Sequence, residues 1–123
     1  METTLDNLKK LTEGLLFISE TKHPLEAVSF KNKSAFQYSM PNNIKIETQH
    51  IDQFFNNAVK AYQKSSIEEP GITKQYMQLL SFIKEKIENV IVYRCGNVSI
   101  QAFILGETEE GNFAGIATTL IET

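Results

Sequence analysis

The chain has 123 residues, of which 41% are hydrophobic and 22% are charged, a balance typical of one globular domain. Its formal net charge is -3, from 12 basic and 15 acidic residues, which argues against a protein that binds nucleic acid directly, because such proteins carry a basic surface. No stretch approaches the roughly 20 apolar residues of a membrane-spanning helix. The acidic amino terminus lacks the features of a secretory signal, and the single Cys95 cannot form an internal disulfide, so we expect a cytoplasmic protein without membrane contact.

An amphipathic helix is predicted at the amino terminus. Its apolar residues recur at three- and four-residue spacing: Leu5, Leu8, Leu11 and Leu15. Thr3 is suited to cap the helix start, Asp6 lies in the first turn, and Gly14 is a stop signal. The segment is therefore predicted as a short helix with one buried face.

The next part of the chain has mixed signals. An apolar run at residues 15–18 leads into a polar segment at 19–24, which we predict to be a loop because Pro24 disfavours helical backbone at the residue before it. Residues 25–30 have the composition of a strand, and residues 44–46 that of a second, shorter one. The residues between these two strands are rich in Lys, Asn and Ser and predict no regular element.

Two further helices are predicted in the middle of the chain. The first has a continuous apolar stripe made of Ile51, Phe54, Phe55, Ala58, Val59 and Tyr62. The second has another, made of Ile72, Tyr76, Leu79, Leu80, Ile83 and Ile87. Residues 63–71 are polar and end in Pro70-Gly71, so we expect an exposed connector between the helices.

The last third of the chain has the two-residue period of strands. Segments 90–94, 98–105 and 113–121 are separated by turn signals at 96–97 and 107–112, which predicts an antiparallel meander. The helices precede this meander in a block and do not alternate with it. We therefore predict an α+β fold in a single domain, with helices packed on a sheet, and not a parallel doubly wound fold.

Few residues suggest catalysis. His23 and His50 belong to no cluster with metal-ligand spacing, so we expect a loop histidine and a histidine that supports a helix start. Cys95 has no catalytic signature around it and is predicted to be structural. A small enzyme or ligand carrier that uses a cleft near either histidine is the alternative from a different class, although no constellation supports it.

Two oxygen-rich points have more functional character. Glu20 follows a buried run on a segment stiffened by Pro24. The last predicted strand ends at Glu122 and Thr123, where a carboxylate, a hydroxyl and the chain-terminal carboxylate would converge. Such oxygens suit a hard cation such as Mg2+, but two points of this kind are not a complete metal site, and a simple strand end is the alternative.

Several motifs resemble the nuclease A inhibitor family, whose members block a sugar-non-specific endonuclease. The amino-terminal match is Glu13-Gly-Leu-Leu-Phe-Ile-Ser-Glu20 with Pro24 and Glu26, and the helical match is Ile51-Asp-x-Phe-Phe55. The carboxyl-terminal match comprises Val92-Tyr-Arg94, Gly96, Ile104-x-Gly-Glu-Thr108, Gly111-Asn112, Ala114-Gly-Ile116 and Glu122-Thr123. The resemblance extends over nearly the whole chain and is poorest between residues 29 and 49.

The resemblance implies a three-layer α-β-α sandwich of the pathogenesis-related-1-like kind. It also implies a monomeric inhibitor without catalysis or a cofactor of its own. Its target would be a ββα-metal nuclease, which uses one Mg2+ and a general-base histidine, and the inhibitor would plug that active site. By this resemblance Glu20 offers negative charge to cationic groups of the nuclease, and Thr123, next to Glu122, offers oxygens to the nuclease's Mg2+.

One position departs from the family pattern. The family uses an acidic-aromatic pair in the connector after the helix at 51–62, and ungapped matching places Gln63 and Lys64 there. Tyr62 or Glu68 would take this place if the register shifts. The alternative function is therefore an interaction module of the same fold that binds a different protein partner.

Overall fold

Four helices and seven strands lie within residues 2–19, 21–64 and 71–122, the parts of the chain that the computed structural model describes. The helices are α1 (Thr4–Thr12), α2 (Lys33–Ser39), α3 (Ile51–Lys64) and α4 (Ile72–Lys86). The strands are β1 (Leu16–Ile18), β2 (Lys22–Pro24), β3 (Glu26–Phe30), β4 (Ile46–Gln49), β5 (Ile87–Cys95), β6 (Ser99–Thr108) and β7 (Phe113–Ile121). The predicted α+β class is confirmed. Within the same ranges no helix has the length and hydropathy needed to cross a membrane.

The main sheet has five antiparallel strands in the order β3-β7-β6-β5-β4. Its centre is the predicted meander of β5, β6 and β7, and the two edge strands come from earlier in the chain. Strands β1 and β2 pair separately as a small antiparallel hairpin. The segments with the period-two pattern thus form the centre of the sheet, and shorter segments from earlier in the chain form its edges.

Side chains from the two faces of the sheet enter two different hydrophobic clusters. On β6, Ile100, Ala102 and Ile104 belong to the larger cluster, which also contains residues of α1, α3 and α4. Phe103 and Leu105 point the other way, into a smaller cluster around Phe36 of α2. The strict alternation reflects the pleat of the strand. Helices therefore pack against both faces of the sheet.

Two predicted helix starts are confirmed in detail. The Thr3 hydroxyl accepts a hydrogen bond from the Asp6 amide at 3.1 Å, and the Thr3 amide donates to the Asp6 carboxylate at 3.1 Å. These two bonds form a capping box, which satisfies amides that the helix itself leaves unpaired. At α3 the His50 ring nitrogen Nδ1 accepts from the Asp52 amide at 3.2 Å, so His50 supports a helix start as expected.

Helix α2 is an element that the sequence did not predict. Asn32 caps it, with its side-chain oxygen accepting from the Ala35 amide at 2.8 Å. Phe36 alone among its residues is buried, whereas Tyr38 is 90% exposed. A helix of seven residues with a single buried anchor has no repeating apolar stripe, and the pattern on which helix prediction depends is therefore missing.

Two other predictions were wrong, one in the type of element and one in its bounds. Residues 22–24, expected to be loop, pair with β1 as the strand β2. This strand was not predicted because three residues are too few to show alternation. The strand expected at 44–46 runs from Ile46 to Gln49 and is mostly exposed, as a sheet edge permits. The helix whose predicted apolar face ends at Ile87 runs to Lys86 with Ile87 as its C-cap, and the chain enters β5 without a connecting turn.

Candidate functional site

The hairpin of β1 and β2 carries the first segment that the sequence singled out, and helices anchor its first strand. The ring of Phe17 stacks on Phe54 of α3 with the centroids 5.2 Å apart. The Tyr76 hydroxyl of α4 donates a hydrogen bond to the Leu16 carbonyl at 2.5 Å. Stacked rings and a partly buried hydrogen bond both restrict movement, so β1 is fixed to two helices.

The second strand of the hairpin is anchored on the main sheet. The Thr118 hydroxyl of β7 donates to the Pro24 carbonyl at 3.0 Å. The Leu25 amide then donates to the Leu15 carbonyl at 3.1 Å, which closes the base of the hairpin. Both strands therefore enter the tip from fixed positions.

At the tip, Ser19 connects the hairpin to the end of β7. Its side-chain oxygen accepts a hydrogen bond from the Ile121 amide at 3.0 Å. Its own amide donates to the Thr21 carbonyl at 2.9 Å, and the Thr21 hydroxyl lies 2.9 Å from Nδ1 of His23. Two segments that are far apart in sequence are thereby joined at one point of the surface.

The residue after β7 is held by further contacts. The Glu122 amide donates to the Val98 carbonyl at 2.9 Å, and the Glu122 carboxylate forms an ion pair with Arg94 of β5. Arg94 also pairs in register with Glu47 of β4, whose carboxylate binds Lys45 at 2.8 Å. The hydrogen bond and charge of Lys45, with a smaller contribution from Arg94, lower the pKa of Glu47. Positive and negative groups therefore alternate across this corner of the sheet.

The predicted site residues divide into two groups. Glu20 and Thr123 lie outside the described residues, but their chain neighbours Ser19 and Glu122 are the ones that the contacts above hold in place. Gln63 and Lys64, expected in a connector, belong instead to the last turn of α3 and are exposed. Helical hydrogen bonding extends beyond the last apolar position of the stripe, so the stripe alone underestimates the length of the helix.

Within the described ranges, no hydrogen bond or ion pair joins Gln63 or Lys64 to the hairpin tip or to the end of β7. The structure thus joins the segments that flank Glu20 and Thr123, and Gln63 and Lys64 are exposed at the end of α3.

A groove of about 360 Å3 lies beside the hairpin. Its lining includes His23 and Glu26 on one side and Gln101, Phe103 and Thr119 on the sheet. This groove is the cleft near His23 that a small enzyme or ligand carrier would use. It offers one imidazole and one carboxylate, both close to solvent.

The remaining candidates for chemistry do not form a reactive site. In the part of the chain that the structure describes, no three His, Cys, Asp or Glu side chains are grouped as metal ligands. Cys95 is 1% exposed and packs in the smaller cluster, and burial raises the pKa of its thiol. A higher pKa disfavours the reactive thiolate, in agreement with the predicted structural role of Cys95.

Sequence reasoning missed the roles of Ser19 and Arg94. The Ser19–Ile121 bond spans 102 positions of sequence, and the Arg94–Glu122 contact spans 28. No local motif encodes either contact. Two features of the sequence pointed to these residues: Ser19 immediately precedes Glu20, and Arg94 belongs to the Val92-Tyr-Arg94 motif.

Comparison with known proteins identifies the family of this chain. No curated protein matches this chain. The family model described as nuclease A inhibitor-like protein matches residues 2–123. The resemblance noted at residues 13–20 and in the carboxyl-terminal third is thus confirmed over essentially the whole chain, and the chain belongs to the nuclease A inhibitor-like protein family.

Proposed function

We propose that this protein is an inhibitor that binds a nuclease and plugs its active site, and that the target is a Mg2+-dependent sugar-non-specific nuclease of the ββα-metal kind. Family membership supports the general role. The observation that carries the site is the bond between the Ser19 hydroxyl and the Ile121 amide at 3.0 Å. It fixes the residue before Glu20 close to the strand that leads to Thr123.

The proposed contacts follow from the chemistry of the target. A nuclease active site binds a polyanion, so it presents cationic groups and a metal ion that prefers oxygen ligands. Glu20 supplies a carboxylate to the cationic groups, and Thr123 supplies oxygens to the nuclease's Mg2+. Together they imitate the phosphate of the substrate. The Mg2+ belongs to the nuclease and not to this chain.

Rigidity of the surrounding structure supports this role. Binding costs about 0.5–1.5 kcal/mol for each flexible side chain that must be ordered. The hairpin is already held through Phe17, Leu16 and Pro24 by contacts to α3, α4 and β7. A surface that is ordered before binding retains more of its interaction energy as affinity.

Other predicted residues have smaller parts in the proposal. Glu122 lies at the same corner, with a side chain that is 54% exposed and paired with Arg94. Gln63 and Lys64, at the end of α3, would lie at the rim of the contact, where single charges contribute little.

The proposal assigns this chain no catalytic step and no cofactor. Its partner is a protein, it makes no direct contact with nucleic acid, and it acts as a monomer in the cytoplasm. Residues 1–123 form one domain, for which we propose the three-layer α-β-α arrangement of the pathogenesis-related-1-like kind. Helices on both faces of the sheet support that arrangement.

A titration of this protein into a Mg2+-supported digestion of DNA by a ββα-metal nuclease tests the proposal. Wild type should inhibit stoichiometrically. Glu20→Ala and Thr123→Ala should each weaken binding by about 2–5 kcal/mol, as expected when a buried charge-assisted contact loses one partner. Glu109→Ala, in an exposed turn, is the control and should change binding by less than about 1 kcal/mol.

A folded wild-type sample that fails to slow such nucleases at severalfold molar excess would contradict this function. The second candidate is then an interaction module with another protein partner. It is supported by Gln63 and Lys64, because ungapped matching places them where the resemblance implies an acidic and aromatic pair. Affinity capture with wild type and Glu20→Ala as parallel baits would separate a specific partner, retained by wild type alone, from background.

A further inference from the structure

One hydroxyl group connects the hairpin tip to the last strand of the sheet. The Ser19 oxygen accepts from the Ile121 amide at 3.0 Å and donates to the Thr21 carbonyl at 3.3 Å. A serine hydroxyl has one donor and two acceptor positions, so it can serve both segments at once. Alanine at this position would leave the turn and the strand without their common partner.

A second connection holds the residue after β7. Arg94 is 22% exposed and pairs with the Glu122 carboxylate, while Glu47 lies opposite Arg94 on the neighbouring strand. The Glu122 carboxylate and the Arg94 guanidinium therefore restrain each other, and the charge of Arg94 also acts on the Glu47 carboxylate. Residues at the end of a strand readily lose order unless such contacts hold them.

We propose that Ser19 and Arg94 are positioning residues that hold the hairpin tip and the end of β7 as one preformed inhibitory surface. The inference rests on the proposed function, because Glu20 and Thr123 are the contacts that the two residues would position. It also gives Glu122 a specific role: its carboxylate acts mainly through Arg94 within this chain.

Fold stability alone does not account for these two connections. The Arg94–Glu122 pair is exposed, where a single ion pair contributes little to the free energy of unfolding, and the Ser19–Ile121 contact is one partly buried hydrogen bond. The larger hydrophobic cluster, which includes Phe17, Leu25 and Leu120, already attaches the hairpin region and β7 to the fold. What Ser19 and Arg94 add is the relative placement of two segment ends.

The test measures placement and inhibition separately. Amide hydrogen exchange of Ile121 and Glu122 in the free protein reports placement, and titration against a ββα-metal nuclease reports inhibition. In Ser19→Ala, the exchange rate of the Ile121 amide should rise about tenfold and the inhibition constant should also rise about tenfold. Tenfold is the usual scale for one lost hydrogen bond. Ser19→Thr keeps the hydroxyl and should restore both, and Ser81→Ala, an exposed serine on α4, should change neither.

A mutant cycle tests the role of Glu122. Arg94→Ala and Glu122→Ala should each weaken inhibition, and the double variant should be no weaker than the more affected single variant, because both changes remove one connection. Additive losses would show that Glu122 contacts the nuclease directly and would overturn that part of the inference.

The results distinguish this inference from the proposed function. An unchanged exchange rate of the Ile121 amide in Ser19→Ala overturns the inference, whether or not the variant still inhibits the nuclease. Faster exchange with unchanged inhibition also overturns it, because placement would then have no effect on binding. If wild type blocks no nuclease while Ser19→Ala still speeds exchange, the proposed function fails and the structural connection stands.

Discussion

The hydroxyl of Tyr76 donates a hydrogen bond to the backbone carbonyl of Leu16 at 2.5 Å and so joins helix α4 to the first strand of the hairpin. The Tyr76 ring is fully packed in the core, and burial raises the pKa of its phenol. The phenol therefore stays protonated and remains a donor throughout the physiological pH range. This hydrogen bond attaches the first strand of the hairpin to a residue of the hydrophobic core.

Tyr76→Phe removes that donor with almost no change in shape. We expect the free energy of unfolding to fall by about 0.5–1.5 kcal/mol, the usual net value of one hydrogen bond. Urea unfolding measures this change. Tyr38→Phe is the control, since Tyr38 is 90% exposed, and equal effects of the two substitutions would contradict the prediction.

The smaller cluster depends on Phe36. Its ring lies within 5.1–5.9 Å of the rings of Phe30, Tyr93, Phe103 and Phe113, measured between centroids. Phe36→Ala should lower the free energy of unfolding by about 3–5 kcal/mol, because a cavity adds to the lost burial. Tyr38→Ala on the same helix should cost far less, and thermal unfolding compares the two. A small loss at Phe36 would mean that α2 contributes little to that face.

Gly115 has no room for a side chain. A Cβ there would lie 1.8 Å from the backbone oxygen of Ile104 in the adjacent strand. Since backbone in the centre of a sheet cannot move aside, Gly115→Ala should destabilise the fold by about 3 kcal/mol or more. Gly111→Ala meets open space and should cost only the strain of its positive φ, about 1 kcal/mol. Equal melting temperatures of the two variants would contradict this reading.

Acid should destabilise the protein through Asp52. A hydrogen bond and the charge of Lys84, at 2.5 Å, lower the pKa of Asp52 below its ordinary value of 3.8. The unfolded chain then binds more protons than the folded one, so this contribution is present above pH 3.8 and is lost as pH falls through the folded pKa. Asp52→Asn should therefore flatten the acid limb of stability against pH in urea unfolding. Glu109→Gln serves as the control and should leave the slope unchanged.

Lys64 tests whether the end of α3 borders the partner. A lysine facing a cationic nuclease groove is repelled, so Lys64→Ala should strengthen inhibition severalfold at low salt. The gain should shrink as salt rises from about 0.05 to 0.3 M, since screening shortens the reach of exposed charges. Lys33→Ala, on α2, is the matched control. A gain that is independent of salt would show that repulsion is not its cause.

Local patterns predicted those elements whose cause is local. The stripe from Ile51 to Tyr62 predicts α3, Thr3 and Asp6 predict the start of α1, and alternation predicts the strands of the meander. Helix α2 was not predicted because its one buried residue, Phe36, packs against side chains from four other segments and not against a stripe of its own helix. Its burial is a property of the assembled sheet, not of its own seven residues.

The candidate site shows the same division. The sequence by itself determined the family and the α+β class and suggested Glu20 and Thr123 as candidate contacts, because residue identity and spacing are local properties. Only the tertiary structure decided that Ser19 meets Ile121 and that Arg94 pairs with Glu122. Hydrogen bonds act over about 3 Å, so residues far apart in sequence become partners only once the sheet and the hairpin have packed.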